Sequence, residues 1–196
     1  MKFLQFMKTI GVALSLLMAH IAWAGDDNGK FVVKGEGNAS CQDFVAAASE
    51  SGAQLAAYGG FINGYTSAVN QLQDATFDVW KWQTIDTVLL VVLQRCRSEP
   101  SLSFGAAVIG ATSYFAQDKI AKAADKVTLG RDPDTFTLYA PVAVELKEIL
   151  ARQGYADADI YDALMRYRDD VGLVRTPNLM QMLMLRLFAQ DRASAG

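Results

Sequence analysis

Cysteines and carboxylates are the residues of this sequence that could take part in redox chemistry, acid–base catalysis or metal binding, because histidine is nearly absent. The chain contains a single histidine, His20, and two cysteines, Cys41 and Cys96. This composition excludes zinc fingers, histidine-based catalytic triads and most transition-metal sites built from protein ligands alone. Serine and threonine hydroxyls are present, but His20 lies in a segment that we expect to be removed, so they lack a histidine base. We therefore predict no catalytic residues, no metal site and no cofactor.

Two pairs of carboxylates are the nearest approach to a metal or acid–base site. They are Asp157 with Asp159, and Asp169 with Asp170. Neither pair has a third ligand at a suitable spacing, so the sequence gives a metal site only weak support. We expect these side chains to cap helices or to face solvent.

The first 24 residues have the pattern of a secretory signal peptide. A positively charged start precedes an apolar run at 10–19, and Ala22-Trp23-Ala24 is a small-residue cleavage site. An uncleaved membrane anchor is the alternative, but a spanning helix needs about 20 apolar residues and this run is shorter. We therefore expect a mature chain that begins at Gly25, lies in the periplasm and spans no membrane.

The two cysteines are expected to pair in that oxidising compartment. Each lies on an apolar face of a predicted helix, so a Cys41–Cys96 bond would join the first helix to the third across 55 residues of sequence. In the chain-entropy model, such a bond constrains the unfolded state by roughly 4 kcal/mol. The alternative is a redox-active dithiol, which the absence of a C-x-x-C spacing disfavours.

Hydrophobic periodicity predicts an all-α chain with two small domains. After the signal peptide at 1–24, we expect an extended arm at 25–37 and a disulfide-clamped helical domain at 38–126. A polar segment at 127–137 is the predicted linker, and a three-helix domain follows at 138–191. The first predicted helix begins near residue 40, and the third begins after residue 84. The second covers about 53–72, and the remaining four cover about 102–126, 141–152, 159–170 and 178–191.

Polar residues at several helix starts support these boundaries. Ser40, followed three residues later by Asp43, is typical of a capping box. Thr84 and Ser101 are the expected caps of the third and fourth helices. The second helix contains adjacent glycines at 59–60, so a break at that point is the alternative to one continuous helix.

Five aromatic side chains of the first domain could bind a partner or line a ligand pocket. Aromatic residues at helical spacing are more often part of a hydrophobic core, and we favour that interpretation while keeping the binding surface open. The five are Tyr58, Phe61, Tyr65, Trp80 and Trp82.

Several residues of the first domain, over about 35–115, form one pattern. It consists of Gly35-Glu36-Gly37, Ser40-Cys41, Tyr58, Phe61-Ile62-Asn63-Gly64-Tyr65, Asn70 and Cys96-Arg97-Ser98-Glu99-Pro100. This pattern resembles the HdeA/HdeB-like family of periplasmic helical proteins, and the resemblance implies a small helical domain whose disulfide is Cys41–Cys96. The best-known members of the family are acid-stress chaperones, although Phe61 stands where a tryptophan is often found.

A second pattern lies over about 142–187. It consists of Leu146, Leu150, Gly154-Tyr155, Ala163-Leu164, Tyr167-Arg168, Gly172-Leu173, Thr176 and Leu183. These residues resemble, more weakly, the three-helix peptidoglycan-binding module, and the resemblance implies a three-helix fold and a contact with peptidoglycan. Tyr167-Arg168 stand where that family usually has Phe-Gln, and Pro177 stands where it has a glycine.

These observations predict a non-enzymatic periplasmic protein-binding module, in its strongest form an acid-stress chaperone that holds unfolded clients. The formal net charge of −3 argues against nucleic acid as a partner. Without histidine in the mature chain, an acid response would depend on Asp and Glu, whose reference pKa values lie near ~4. The alternative is a cell-envelope scaffold or accessory subunit held at peptidoglycan by the C-terminal domain. An enzyme of unrecognised type is the third hypothesis.

Overall fold

The computed structural model describes residues 26, 28, 30–50, 52–132, 134–157, 159–174, 176 and 179–195. The predicted signal peptide and its cleavage site lie outside these residues. The chain divides into two units, Met1–Val33 and Lys34–Gly196. In the first unit, the Asp26 carboxylate accepts hydrogen bonds from the backbone N–H groups of Asn28 and Lys30, which lowers the pKa of Asp26.

The second unit is mostly helical, as predicted, but a two-stranded sheet means that it is not strictly all-α. Short 3-10 turns at Gly35–Asn38 and Ala116–Asp118 lie beside the longer elements. The elements in chain order are α1 (Cys41–Glu50), α2 (Ala53–Leu72), α3 (Ile85–Ser98), α4 (Phe104–Phe115), β1 (Lys126–Arg131), β2 (Asp134–Tyr139), α5 (Ala140–Arg152), α6 (Ile160–Asp170) and α7 (Leu179–Ala195).

The first three helices begin as the sequence predicts. The capping box of α1 is formed, since the Ser40 N–H donates to the Asp43 carboxylate at 3.2 Å and the Asp43 N–H donates to the Ser40 hydroxyl at 3.1 Å. Helix α2 continues through Gly59 and Gly60 without a break. Thr84 caps α3 by accepting a hydrogen bond from a backbone N–H of its first turn.

The fourth helix is shorter than predicted. It ends at Phe115 rather than near residue 126, and its cap is Ser103 rather than Ser101. The chain leaves the helix because Ile120 pairs with Asp78 through backbone hydrogen bonds of 2.8 and 3.1 Å and buries its side chain. A tertiary contact therefore sets the end of α4.

The segment predicted as a linker lies within the antiparallel β1–β2 hairpin. The register pairs Val127 with Leu138 and Leu129 with Phe136, and these apolar pairs alternate with the Thr128–Thr137 and Gly130–Thr135 pairs. This period-two pattern puts one face of the hairpin against the helices that follow it. The hairpin is the part of the fold that an all-helical interpretation missed.

Two hydrophobic cores are present in the second unit. The first is formed by α1–α4, and its buried residues are Cys41, Phe44, Ala47, Tyr58, Ile62, Val88, Val92, Cys96, Phe104, Ala107, Val108, Ala111 and Phe115. The second is formed by the hairpin and α5–α7, and it also includes Trp82 and Ile120 from the preceding half of the chain. Residues 138–191 therefore do not form the second core alone.

The segment before α3, which we call the junction, connects the first core with the second. Trp82 stacks on Phe188 of α7, with ring centroids 5.3 Å apart. Next to it, Lys81 forms an ion pair with Glu145 of α5. Further along, the Tyr139 hydroxyl donates to the Asp78 carboxylate at 2.8 Å; burial and this bond raise the pKa of Tyr139 to about 12.

Candidate functional site

The predicted disulfide is confirmed. Cys41 at the start of α1 and Cys96 near the end of α3 are bonded, and both are fully buried in the first core. The bond fixes α3 to α1 and closes a loop that contains the whole of α2. A buried disulfide between two helices acts as a structural brace, because an exchange partner has no access to its sulfur atoms.

The five predicted aromatic residues do not form one surface. Tyr58 is buried between Phe44 and Phe104, with ring centroids 5.1 and 4.7 Å away. Phe61 and Tyr65 stack on each other at the edge of the same core, and Trp80 also lies partly buried against it. Trp82 belongs to the second core. Most of this aromatic area therefore supports the packing of the chain.

The predicted carboxylates act as caps and ion-pair partners. Asp159 caps α6 by accepting hydrogen bonds from two backbone N–H groups, and Asp157 pairs with Arg166. Asp169 pairs with Arg168, and the Asp170 carboxylate accepts a hydrogen bond of 2.8 Å from the Tyr155 hydroxyl. Within the described ranges, no group of three or more His, Cys, Asp or Glu side chains is arranged to hold a metal ion.

A groove of about 420 Å³ runs between α3 and α4. We call it the α3–α4 groove; it is lined by Val91, Arg95, Leu102, Ala106, Ala107, Gly110, Ala111 and Tyr114. Its floor consists of the alanines and the glycine of α4, and the larger apolar side chains form its walls. An apolar lining with small side chains beneath it allows a partner backbone to approach closely.

Charged and aromatic groups mark the two ends of this groove. At the end near the α3–α4 connection, Arg95 pairs with Glu99 at 2.9 Å, and both side chains are about half exposed to solvent. At the other end, the Arg192 guanidinium of α7 lies 4.8 Å from the centroid of the Tyr114 ring and pairs with Asp118 at 3.2 Å. Tyr114 is 47% exposed, although its ring is large and apolar.

A second concave site lies on the C-terminal half and has a different chemistry. We call it the tyrosine pocket; its volume is about 460 Å³ and its lining residues are Gln153, Tyr155, Tyr167, Val171, Gln190, Ala193 and Ser194. The two tyrosine rings meet edge to face with centroids 5.4 Å apart. The Tyr167 hydroxyl donates to Gln190 at 2.6 Å, and the bond to Asp170 raises the pKa of Tyr155. Aromatic rings beside amides and hydroxyls can bind a neutral, hydroxyl-rich ligand.

Sequence reasoning missed the α3–α4 groove, although a signal for it was present. Ala106 and Gly110 are four residues apart, as are Ala107 and Ala111, so small side chains recur on one face of α4. The sequence pattern predicts only a helix over about 102–126 here, whereas the structure leaves part of that small-residue face uncovered beside Val91.

The part of the chain that the structure describes contains no helix that is both long enough and apolar enough to cross a bilayer. Comparisons with protein-family models, curated proteins and solved structures found no match to this chain.

Proposed function

We propose that this chain is a non-enzymatic periplasmic protein-binding module and that its partner binds in the α3–α4 groove. The observation that carries the proposal is an apolar groove with a small-residue floor, about 420 Å³ in volume, on a helical core braced by a buried disulfide. Helical segments of partner proteins commonly bind in such grooves through an apolar face.

The brace supports binding because it fixes one wall of the groove. Cys96 and Arg95 are neighbours on α3, and the Cys41–Cys96 bond ties this end of the helix to α1. A wall held in place before binding reduces the conformational entropy that binding must remove. Val91, one turn away on α3, is positioned in the same way.

The strongest form of the proposal is an acid-stress chaperone that holds unfolded clients. Three carboxylates before β1 make contacts that protonation would weaken. They are Asp43 in the capping box, Asp78 with Tyr139, and Glu99 with Arg95. In acid, the loss of these contacts would loosen a helix start, the junction and one end of the groove. Apolar surface would become more accessible as a result.

A groove-filling substitution tests the proposal. Gly110 lies in the groove floor, and a Cβ built there meets no atom within 4 Å, so Gly110→Gln fills the groove without a clash in the chain itself. The matched control is Gly60→Gln on the exposed face of α2, where a Cβ also meets nothing within 4 Å. Both changes replace a helix glycine and gain up to about 1 kcal/mol of helix propensity.

Protection of a chemically denatured reporter enzyme from aggregation is measured by light scattering from pH 7 to pH 3. We expect the wild-type chain and Gly60→Gln to protect the reporter and Gly110→Gln to lose most of the effect. Binding of an apolar dye is followed over the same series. Protection that is absent at every pH, or that Gly110→Gln leaves unchanged, contradicts the proposal.

A cell-envelope scaffold held at peptidoglycan is the second candidate, and the tyrosine pocket favours it. The pocket offers the partly exposed Tyr155 ring, which packs on the buried Tyr167 ring, with amide and hydroxyl groups beside it; this chemistry suits a neutral glycan. The pocket lies on α5–α7, the region whose sequence resembles the peptidoglycan-binding module. In this function the C-terminal half would anchor the chain while the groove binds a protein.

Co-sedimentation with purified peptidoglycan tests the scaffold function. Ser194→Gln enlarges a side chain at the edge of the tyrosine pocket, and Ser67→Gln on α2 is its control. The two serines are alike, because each hydroxyl donates to the carbonyl four residues earlier, at 2.9 and 2.8 Å. We expect only Ser194→Gln to reduce co-sedimentation; equal behaviour of the two variants would remove the pocket from consideration.

A further inference from the structure

We propose that the partner segment in the α3–α4 groove is a helix of about two turns whose apolar face carries a carboxylate at one end, opposite Arg95. This inference rests on the proposed function and names the chemistry of the partner at neutral pH. It follows from the length of the groove, the size of the side chains in its floor and the charges at the end near the α3–α4 connection.

The groove matches two turns of a partner helix in length. Its lining residues on α4 run from Ala106 to Tyr114, a separation of eight residues, which corresponds to about 12 Å along the helix axis. Between these ends, the α4 side chains that form the groove floor are no larger than a methyl group. A partner backbone can therefore lie close to α4, while its apolar side chains contact Val91, Leu102 and Tyr114.

The charges favour a carboxylate at the Arg95 end. Arg95 is the only charged residue that lines the groove among the described residues, and its ion pair with Glu99 is more than two-fifths exposed on both sides. Exposed pairs of this kind are weak, so an incoming carboxylate can share or replace Glu99. The N-terminus of α4 follows Leu102 at the same end, and its helix dipole also favours negative charge.

Among the described residues, the opposite end has no charged side chain in the groove lining. Arg192 lies over Tyr114, but its guanidinium already pairs with Asp118 and its Nε is buried. An apolar contact with the exposed Tyr114 ring is therefore the expected interaction there. The groove has a direction: a carboxylate belongs beside Arg95 and an apolar side chain beside Tyr114.

The test selects helical 16-residue peptides from a displayed library on the full-length protein at pH 7. Peptides that the Gly60→Gln variant retains and the Gly110→Gln variant loses are kept as groove binders. We expect them to carry Asp or Glu at one end of an apolar stripe. Each selected peptide is then synthesised with its acidic residue and with the matching amide, and both forms are titrated by fluorescence anisotropy at low and high salt.

Two arginine variants decide which cation recognises the carboxylate. Arg95→Gln removes the cation in the groove, and Arg97→Gln removes the same charge from an exposed position of α3 outside the groove lining. On the wild-type chain and on Arg97→Gln, we expect the acidic peptide to bind about five- to tenfold more tightly than its amide, less so at high salt. On Arg95→Gln, the two forms should bind within about twofold of each other.

The outcomes separate this inference from the proposed function. Groove binders without an acidic preference, or a preference that persists in Arg95→Gln, overturn the inference and leave the groove as a binding site. A library that yields no peptide dependent on Gly110 overturns both. Acidic preference that disappears only in Arg95→Gln supports both.

Discussion

Trp82 is the side chain through which the two halves of the chain are most directly joined, and its removal should affect the whole molecule. It lies before α3, yet it is 6% exposed within the second core and stacks on Phe188. Truncation of a buried tryptophan to alanine costs about 3–5 kcal/mol, because apolar contacts are lost and a cavity remains. We therefore expect Trp82→Ala to lower the free energy of unfolding by about 4 kcal/mol.

Urea unfolding measures this loss. With a slope of about 2 kcal/mol per molar urea, a loss of about 4 kcal/mol moves the midpoint down by about 2 M. Far-UV circular dichroism reports all the helices. In the chain from Gly25 onward, which lacks Trp23, fluorescence of the remaining Trp80 reports the first core. Trp82 belongs to the second core and Trp80 packs against the first, so both signals should shift together if the two cores unfold as one unit.

Trp80→Phe is the control. Trp80 is partly buried against the first core, and its indole Nε1–H is buried without a hydrogen-bond partner among the described residues. Replacing it with phenylalanine removes an unpaired donor, so stability should change by less than about 1 kcal/mol. A midpoint shift below about 0.5 M for Trp82→Ala would refute the reasoning, since it would mean that Trp82 contributes little to the second core.

Three further substitutions test other parts of the fold. Cys96→Ser should lower the free energy of unfolding by roughly 4 kcal/mol in chemical denaturation, because the loop constraint on the unfolded chain is lost. Stability should fall as pH rises from 10 to about 12, since the pKa of Tyr139 is raised in the folded state by burial and its bond to Asp78; Tyr139→Phe should reduce this dependence in thermal melts between these pH values. Gly130→Ala should destabilise the hairpin by more than about 1 kcal/mol in thermal melts. The φ angle of Gly130 is +97°, and the added Cβ would lie 2.1 Å from the Asp134 carbonyl oxygen.

Local signals in the sequence were sufficient for the elements whose ends depend on nearby residues. The capping pair Ser40–Asp43 and the cap Thr84 determine where α1 and α3 begin, and regular apolar spacing determines α2. The disulfide was also predictable, because a chain with two cysteines on apolar helix faces has one pairing available. These features depend on contacts within a few residues or on the identity of the residues alone.

Tertiary contacts decided the features that bear on function. Helix α4 ends early because Ile120 pairs with Asp78, which lies 42 residues earlier in the chain. Trp82 joins the second core through Phe188, a contact that no local pattern predicts. The α3–α4 groove exists because the packing of two helices leaves part of the small-residue face of α4, at Ala106 and Gly110, uncovered. The sequence determined the helices and the disulfide, whereas the groove and the junction arose only when distant segments packed together, because their free energy comes from contacts that the linear order of residues does not reveal.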